Sequence, residues 1–160
     1  MINIFFVSFL ASKLNEIQKV VFNLKEYNLT LLVDDNNIVL TIPNTDDKNQ
    51  YAKRVFKLQP IRKHFIIRFK NDALYADDDK VEISKFAPGL GGFYFTIENT
   101  NNGKLIKNHE DKCISMGDLL KHGTFSVELN DCLENKFSLF EIKDASQAYK
   151  LFLDDSTVYE

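Results

Sequence analysis

Short apolar segments that alternate with polar residues are the feature that most restricts the fold of this chain. In residues 64–70, Phe65, Ile67 and Phe69 fall on one face and His64, Arg68 and Lys70 on the other, which is the period of a strand with one buried face. Asn102-Gly103 is the strongest hairpin signal in the chain, because this dipeptide favours a tight two-residue turn. Further strands are predicted over residues 2–9, 29–33, 38–42, 81–84, 93–98, 104–107, 125–129 and 137–143.

Helical signals lie between these segments. Apolar residues recur at helical spacing between Leu14 and Leu24, after Ser12, a residue type that caps helices. Further helices are predicted over residues 45–56, 115–120 and 145–153. The expected fold class is therefore α+β, with mainly antiparallel sheet and two to four helices. Its first half follows the order of a split βαβ (ferredoxin-like) unit.

The chain of 160 residues is long enough for one domain with its own core. We predict a single α+β domain over residues 1–160, with a division into two subdomains near residues 71–80 as the alternative, and we find no internal repeat. The apolar run from Ile4 to Ala11 has no Lys or Arg before it, which does not fit a secretory signal. No apolar run reaches 18 residues, so the expected location is cytoplasmic, without a membrane partner.

Charge is distributed unevenly along the chain, whose formal net charge is −3. Residues 48–71 contain eight basic residues and no acid, so the remainder sums to about −11, from 12 basic and 23 acidic residues. A basic strip suits an anionic partner such as a phosphate, a nucleic acid or an acidic protein surface. The strip residues predicted to bind a partner are Lys53, Arg54, Lys57, Arg62, His64, Arg68 and Lys70.

An acidic run follows directly, with five acids in residues 72–82. Asp77, Asp78 and Asp79 form the alternative partner-binding surface. The acidic run and the basic strip could also simply neutralise each other across the surface.

Half of the six glycines lie within residues 89–92. Glycine concentrates where the backbone turns sharply or closely approaches another group. We therefore treat Gly89, Gly91 and Gly92 as a candidate contact loop. No phosphate-binding signature follows them.

Signals for catalysis and metal binding are weaker. His122-Gly123-Thr124 places an imidazole and a hydroxyl on one strand face, as in a two-histidine phosphoesterase, but a second copy is absent. His109, Cys113, His122 and Cys132 have metal-ligating side chains without a paired Cys-x2-Cys sequence. We expect no metal and no cofactor, and the sequence leaves open whether these four residues converge.

The sequence favours a binding module over an enzyme, because no catalytic constellation stands out. The predicted function is a small cytoplasmic inhibitor that occludes a macromolecular target, of the immunity-protein or phage-borne antagonist type. One alternative is binding of nucleic acid or nucleotide phosphate through residues 48–70, and another is a phosphoesterase-like hydrolase centred on His122. The expected partner is another protein, with nucleic acid as the alternative.

Overall fold

The computed structural model describes residues 17–44 and 47–145, and these form twelve strands and little helix. The first six strands are β1 (Gln18–Leu24), β2 (Leu29–Asp34), β3 (Asn37–Thr41), β4 (Phe56–Ile61), β5 (His64–Phe69) and β6 (Asp72–Asp77). The other six are β7 (Lys80–Lys85), β8 (Thr96–Thr100), β9 (Gly103–Lys107), β10 (Lys112–Lys121), β11 (Thr124–Asp131) and β12 (Phe140–Asp144). One α-helix, α1 (Lys48–Arg54), and one 3-10 turn (Gly91–Phe93) lie between strands of the described ranges.

Six of the strands close into a barrel. The antiparallel pairs β1–β4, β4–β5, β8–β9 and β9–β12 follow one another around it, and β12 returns to pair with β1. The remaining seam, between β5 and β8, is joined at Phe65 and Phe95, whose backbones exchange hydrogen bonds of 2.8 and 2.9 Å. Closure leaves none of these six strands with a free edge.

The other six strands form three hairpins that cap one end of the barrel. The pairs β2–β3, β6–β7 and β10–β11 contact one another around a common axis. The chain thus repeats one unit three times: a barrel strand, a two-stranded hairpin and a second barrel strand. The threefold arrangement was missed in the sequence because equivalent positions carry different side chains.

The core fills the space between barrel and cap. Phe22, Phe56, Phe95 and Phe140 are fully buried there, and Phe22 and Phe56 meet edge to face with ring centroids 5.6 Å apart. Alternate residues of each barrel strand point inward, which explains why the period-two apolar segments were informative.

The predicted α+β class is wrong, since the described residues are mainly antiparallel strands with one short α-helix. The helix expected from Leu14 to Leu24 is instead strand β1 from Gln18 onward, because its apolar residues are covered on both faces by barrel and cap. The split βαβ order therefore fails. Residues 115–120 lie in β10 rather than in a helix.

Other predictions were closer. The helix expected over residues 45–56 is present but shorter, as α1, with Asp47 capping its N-terminus by accepting from the backbone N–H of Asn49. The hairpin predicted at Asn102-Gly103 is present between β8 and β9, but its two turn residues are Asn101 and Asn102, and Gly103 already pairs with Thr100. The strand predicted over residues 2–9 lies outside the described residues, as does all but the first residue of the helix predicted over 145–153.

The single-domain prediction stays a prediction, and so does its alternative division near residues 71–80, a segment that runs through β6 and the turns on either side. Within the described ranges, no helix is long and apolar enough to cross a bilayer.

Candidate functional site

The basic strip does not form one open surface. Arg54 is buried at the end of α1 with its guanidinium 5.2 Å from the ring centroid of Tyr51, and this burial lowers the pKa of Arg54. Arg68 donates a hydrogen bond to Gln59 and lies 4.6 Å above the ring of Phe86. Two of the three arginines are therefore engaged in packing within the chain.

The other strip residues are exposed but scattered. Lys53 lies on α1, Lys57 on β4 and His64 at the start of β5, while Arg62 and Lys70 occupy turn positions with positive φ. His64 Nδ1 lies 3.4 Å from the Thr96 hydroxyl. Their role as a partner-binding surface stays a prediction.

The acidic run and the glycine-rich loop, in contrast, meet at one site on the β6–β7 hairpin. Tyr75 and Asp77 are two residues apart on β6 and therefore point to the same face. Across the hairpin, Glu82 lies opposite Tyr75 and Lys80 lies opposite Asp77. The other face of the hairpin carries the apolar side chains that pack into the core. Asp78 and Asp79 form the exposed turn between the two strands.

Asp77 is held from two sides. The Tyr75 hydroxyl donates to Asp77 Oδ2 over 3.0 Å, and His109 Nε2 lies 3.0 Å from Asp77 Oδ1. Because a carboxylate only accepts, the imidazole is the donor. The bonds from His109 and Tyr75 hold the pKa of Asp77 below its usual value, and the bond to Asp77 raises the pKa of Tyr75. Asp77 is therefore ionised and oriented.

Two glycines allow the surrounding side chains to approach this closely. A Cβ on Gly92 would lie 2.6 Å from the Tyr75 ring, and a Cβ on Gly91 would lie 2.8 Å from His109 Nδ1. Neither glycine has a positive φ, so the requirement is for space rather than for an unusual backbone. Gly89, by contrast, has nothing within 4 Å of its Cβ position.

An open groove of about 630 Å³ runs over this face. Tyr75 and Phe93 provide an aromatic wall, with ring centroids 4.9 Å apart in an edge-to-face arrangement. Its polar lining consists of Asp77, Asp78, Lys80, Glu82, Ser84 and Lys85. The groove thus combines an aromatic surface with both hydrogen-bond donors and acceptors.

Each of the other two hairpins also lines a pocket. One, of about 190 Å³, is lined by Leu32 and Asp34, and the other, of about 480 Å³, by Met116 and Asp118. On β2 the register makes Leu32 and Asp34 the equivalents of Tyr75 and Asp77, because Asp34, like Asp77, belongs to the last pair before a two-residue turn. On β10 this correspondence fails, since Met116 packs against the core and a register shift follows it.

The four candidate metal ligands His109, Cys113, His122 and Cys132 do not converge. Cys113 and Cys132 form a disulfide, while His122 is exposed in the β10–β11 turn. Among the described residues, His122 makes no hydrogen bond or ion pair, so no general base is assembled around it. The cytoplasmic location stays a prediction.

No protein-family model matches the sequence, and no curated protein does. Solved structures do match. Cry35Ab1 superposes with a TM-score of 0.64 and 14% identity, over 79% of this chain and 35% of that one, so this chain spans about a third of it. The protein SeviL, solved with the asialo-GM1 saccharide, gives a TM-score of 0.64 and 9% identity, over 81% of this chain and 98% of SeviL.

A lectin from Polyporus squamosus, solved with an influenza-binding saccharide epitope, gives a TM-score of 0.61 and 13% identity. That match covers 80% of this chain and 49% of the lectin. All of these structures indicate the same fold as the closed six-stranded barrel and its three capping hairpins. The fold is a β-trefoil.

This result overturns the predicted function. The structural neighbours are lectins and toxins of the β-trefoil type, among them the cytolethal distending toxin of Haemophilus ducreyi (TM-score 0.67, 13% identity), not immunity proteins or phage antagonists, so the inhibitor interpretation is wrong. The nucleic-acid alternative fails on the same comparison, and the buried or stacked arginines explain why the basic strip was misleading. The phosphoesterase alternative fails because His122 lacks a partner among the described residues.

Sequence reasoning identified Asp77 and the glycine loop, named His109 only in a metal-ligating set with Cys113, His122 and Cys132, and missed Tyr75 and Glu110. Tyr75 carried a usable signal, because it stands two residues before Asp77 in a strand and must share its face. The contact of His109 with Asp77 carried no such signal, since the β9–β10 turn reaches Asp77 only through the cap geometry.

Proposed function

We propose that this chain is a carbohydrate-binding module and that the groove over β6 and β7 is its site. The pairing of Tyr75 with an ionised Asp77 on the wall of this groove is the observation that carries the proposal. The proposed partner is a saccharide rather than a protein or a nucleic acid.

The chemistry of the groove suits a sugar. A pyranose has an apolar face of C–H groups, which an aromatic ring can cover, and a rim of hydroxyl groups that need donors and acceptors. Asp77 supplies an oriented charged acceptor, which makes stronger hydrogen bonds than a neutral one. Lys80 and Lys85 supply donors on the opposite strand of the groove.

The geometry of the site also reduces the side-chain entropy that is lost when a ligand binds. Tyr75 is fixed by Gly92 and Phe93, and Asp77 is fixed by two hydrogen bonds, so little side-chain freedom remains to be lost. The two neighbours solved with saccharides support the proposal at the level of the fold.

The test is an array of oligosaccharides that includes the asialo-GM1 saccharide and the Neu5Acα2-6Galβ1-4GlcNAc epitope, followed by titration of the strongest hit. We expect binding by the unmodified chain and at least a tenfold loss in Asp77→Asn, because removing the charge weakens the acceptor by about 1.4 kcal/mol or more. Asp79→Asn is the matched control, since Asp79 is exposed in the adjacent turn and does not line the groove. Equal binding by both variants, or no hit on the array, would refute the proposal.

A further inference from the structure

A cluster of three side chains that can ligate a metal lies at the edge of the groove. Asp77, His109 and Glu110 each direct one ligand atom towards a common point, and these three atoms lie within 4.8 Å of one another. His109 Nε2 is 3.0 Å from Asp77 Oδ1 and 3.9 Å from Glu110 Oε1. One imidazole and two carboxylates from two separate chain segments meet here.

The two segments are held together by a buried amide. Asn108 is only 3% exposed, and its Nδ2 donates to the Ala76 carbonyl over 3.1 Å. Its Oδ1 accepts from the backbone N–H groups of Glu110 and Lys112, each at 3.0 Å. The β9–β10 turn that carries His109 and Glu110 is thereby fixed to β6, which carries Asp77.

Two of the three ligand side chains also accept a hydrogen bond from an outer partner. Tyr75 binds the second oxygen of Asp77, and the backbone N–H of Asp78 donates to Glu110 Oε1 over 2.8 Å. Outer hydrogen bonds of this kind orient metal ligands and raise affinity. Gly91 lies so close to the Nδ1 side of the His109 ring that a Cβ there would be 2.8 Å from Nδ1.

The spacing fits a small divalent ion. Tetrahedral Zn²⁺ with ligands at 2.0–2.1 Å needs ligand atoms about 3.3 Å apart, and the observed 3.0 and 3.9 Å lie on either side of that value. Two carboxylates balance the charge of the ion. The imidazole ligates in its neutral form with the proton on Nδ1, so Nε2 exchanges its hydrogen bond to Asp77 for the metal.

We propose that Asp77, His109 and Glu110 form a binding site for a borderline divalent metal ion of the Zn²⁺ class. An imidazole ligand favours Zn²⁺, Ni²⁺ or Cu²⁺ over Ca²⁺ and Mg²⁺, which prefer oxygen ligands alone. With three protein ligands, a fourth position stays open for water or for a group bound in the groove. A metal ion at this edge could therefore coordinate a ligand that is bound in the groove.

The test is calorimetric titration of the full chain, without an affinity tag, with ZnCl2 and without saccharide, so its outcome is independent of the proposed sugar binding. We expect one ion per chain, and a loss of about tenfold or more in affinity in His109→Gln and in Glu110→Gln. His122→Gln is the matched control, because His122 is also exposed but lies in a different turn.

Titration with CoCl2 gives a second measurement, because Co²⁺ in a tetrahedral site has strong visible absorption that an octahedral, water-bound ion lacks. We expect this absorption in the unmodified chain and in His122→Gln, and its loss in His109→Gln. The absence of stoichiometric Zn²⁺ binding would overturn the proposal. Binding that His109→Gln and Glu110→Gln leave unchanged would overturn it as well.

Discussion

Substituting Gly92 by alanine tests whether the close approach of the glycine-rich loop shapes the groove. The added Cβ would lie 2.6 Å from Tyr75 Cε2 and 2.8 Å from Cζ, whereas ordinary contact begins at 3.4 Å, so the ring must retreat by about 0.8 Å. The ring cannot retreat freely, because it packs against Phe93 and its hydroxyl is bonded to Asp77. Overpacking a filled site of this kind costs about 1–3 kcal/mol.

Urea unfolding and saccharide titration measure the two consequences. With a slope of about 2 kcal/mol per molar urea, a cost of about 2 kcal/mol lowers the midpoint by about 1 M. We expect Gly92→Ala to show this shift and to lose saccharide binding at 25 °C, where the variant is still folded. Gly89→Ala is the control, since nothing lies within 4 Å of its Cβ position and its stability should change by less than about 1 kcal/mol. If the two variants had the same midpoint and the same affinity, the reasoning about the loop would be refuted.

Three further predictions concern stability. Reduction of the Cys113–Cys132 disulfide, which spans 19 positions, should lower the free energy of unfolding by about 3 kcal/mol, and adding reductant should leave the midpoint of a Cys113→Ser/Cys132→Ser variant unchanged. Arg68→Lys should lower the free energy of unfolding by about 1 kcal/mol, measured in urea, because lysine cannot reproduce both the bond to Gln59 and the stacking on Phe86. An unchanged free energy of unfolding would show that Arg68 is not engaged in packing. The pKa of Asp77 is lowered in the folded state, so its stabilisation is present above the unfolded value of 3.8 and is lost as the pH falls below that value. In Asp77→Asn the free energy of unfolding should therefore depend less on pH in the acid range. An unchanged pH profile would contradict this.

The hairpins could be predicted from sequence because their determinants are local. Alternating apolar residues and a turn signal such as Asn102-Gly103 act within a few positions, and the predicted hairpin is present with its turn one residue earlier, at 101–102. Barrel closure could not be predicted in the same way. The pairing of β1 with β12 joins residues more than 110 positions apart, and no local signal specifies it.

Helical periodicity led to the wrong prediction of a helix where strand β1 lies. Val20, Val21 and Leu24 fit one helical face, but all three are buried in β1, which has the barrel interior on one side and further strands on the other. A strand covered on both faces loses its alternation, so a short apolar segment cannot be assigned from periodicity alone. Strand content was therefore underestimated.

The candidate site was predictable only in part. Asp77 and the glycines stood out by local composition, although their common role depends on the hairpin meeting the loop before β8. The arginines misled the functional interpretation, because a count of charges cannot show that Arg54 and Arg68 are used in packing.

Mapping of amide chemical shifts during saccharide titration tests the central claim most directly. A ¹⁵N-labelled chain would be titrated with the strongest hit from the oligosaccharide array. The account predicts shift changes centred on Tyr75, Asp77 and Glu82 and on the loop at Gly91 and Gly92, which line or support the groove. Shift changes centred on the β10–β11 hairpin, or saturable binding without changes in β6 and β7, would contradict it.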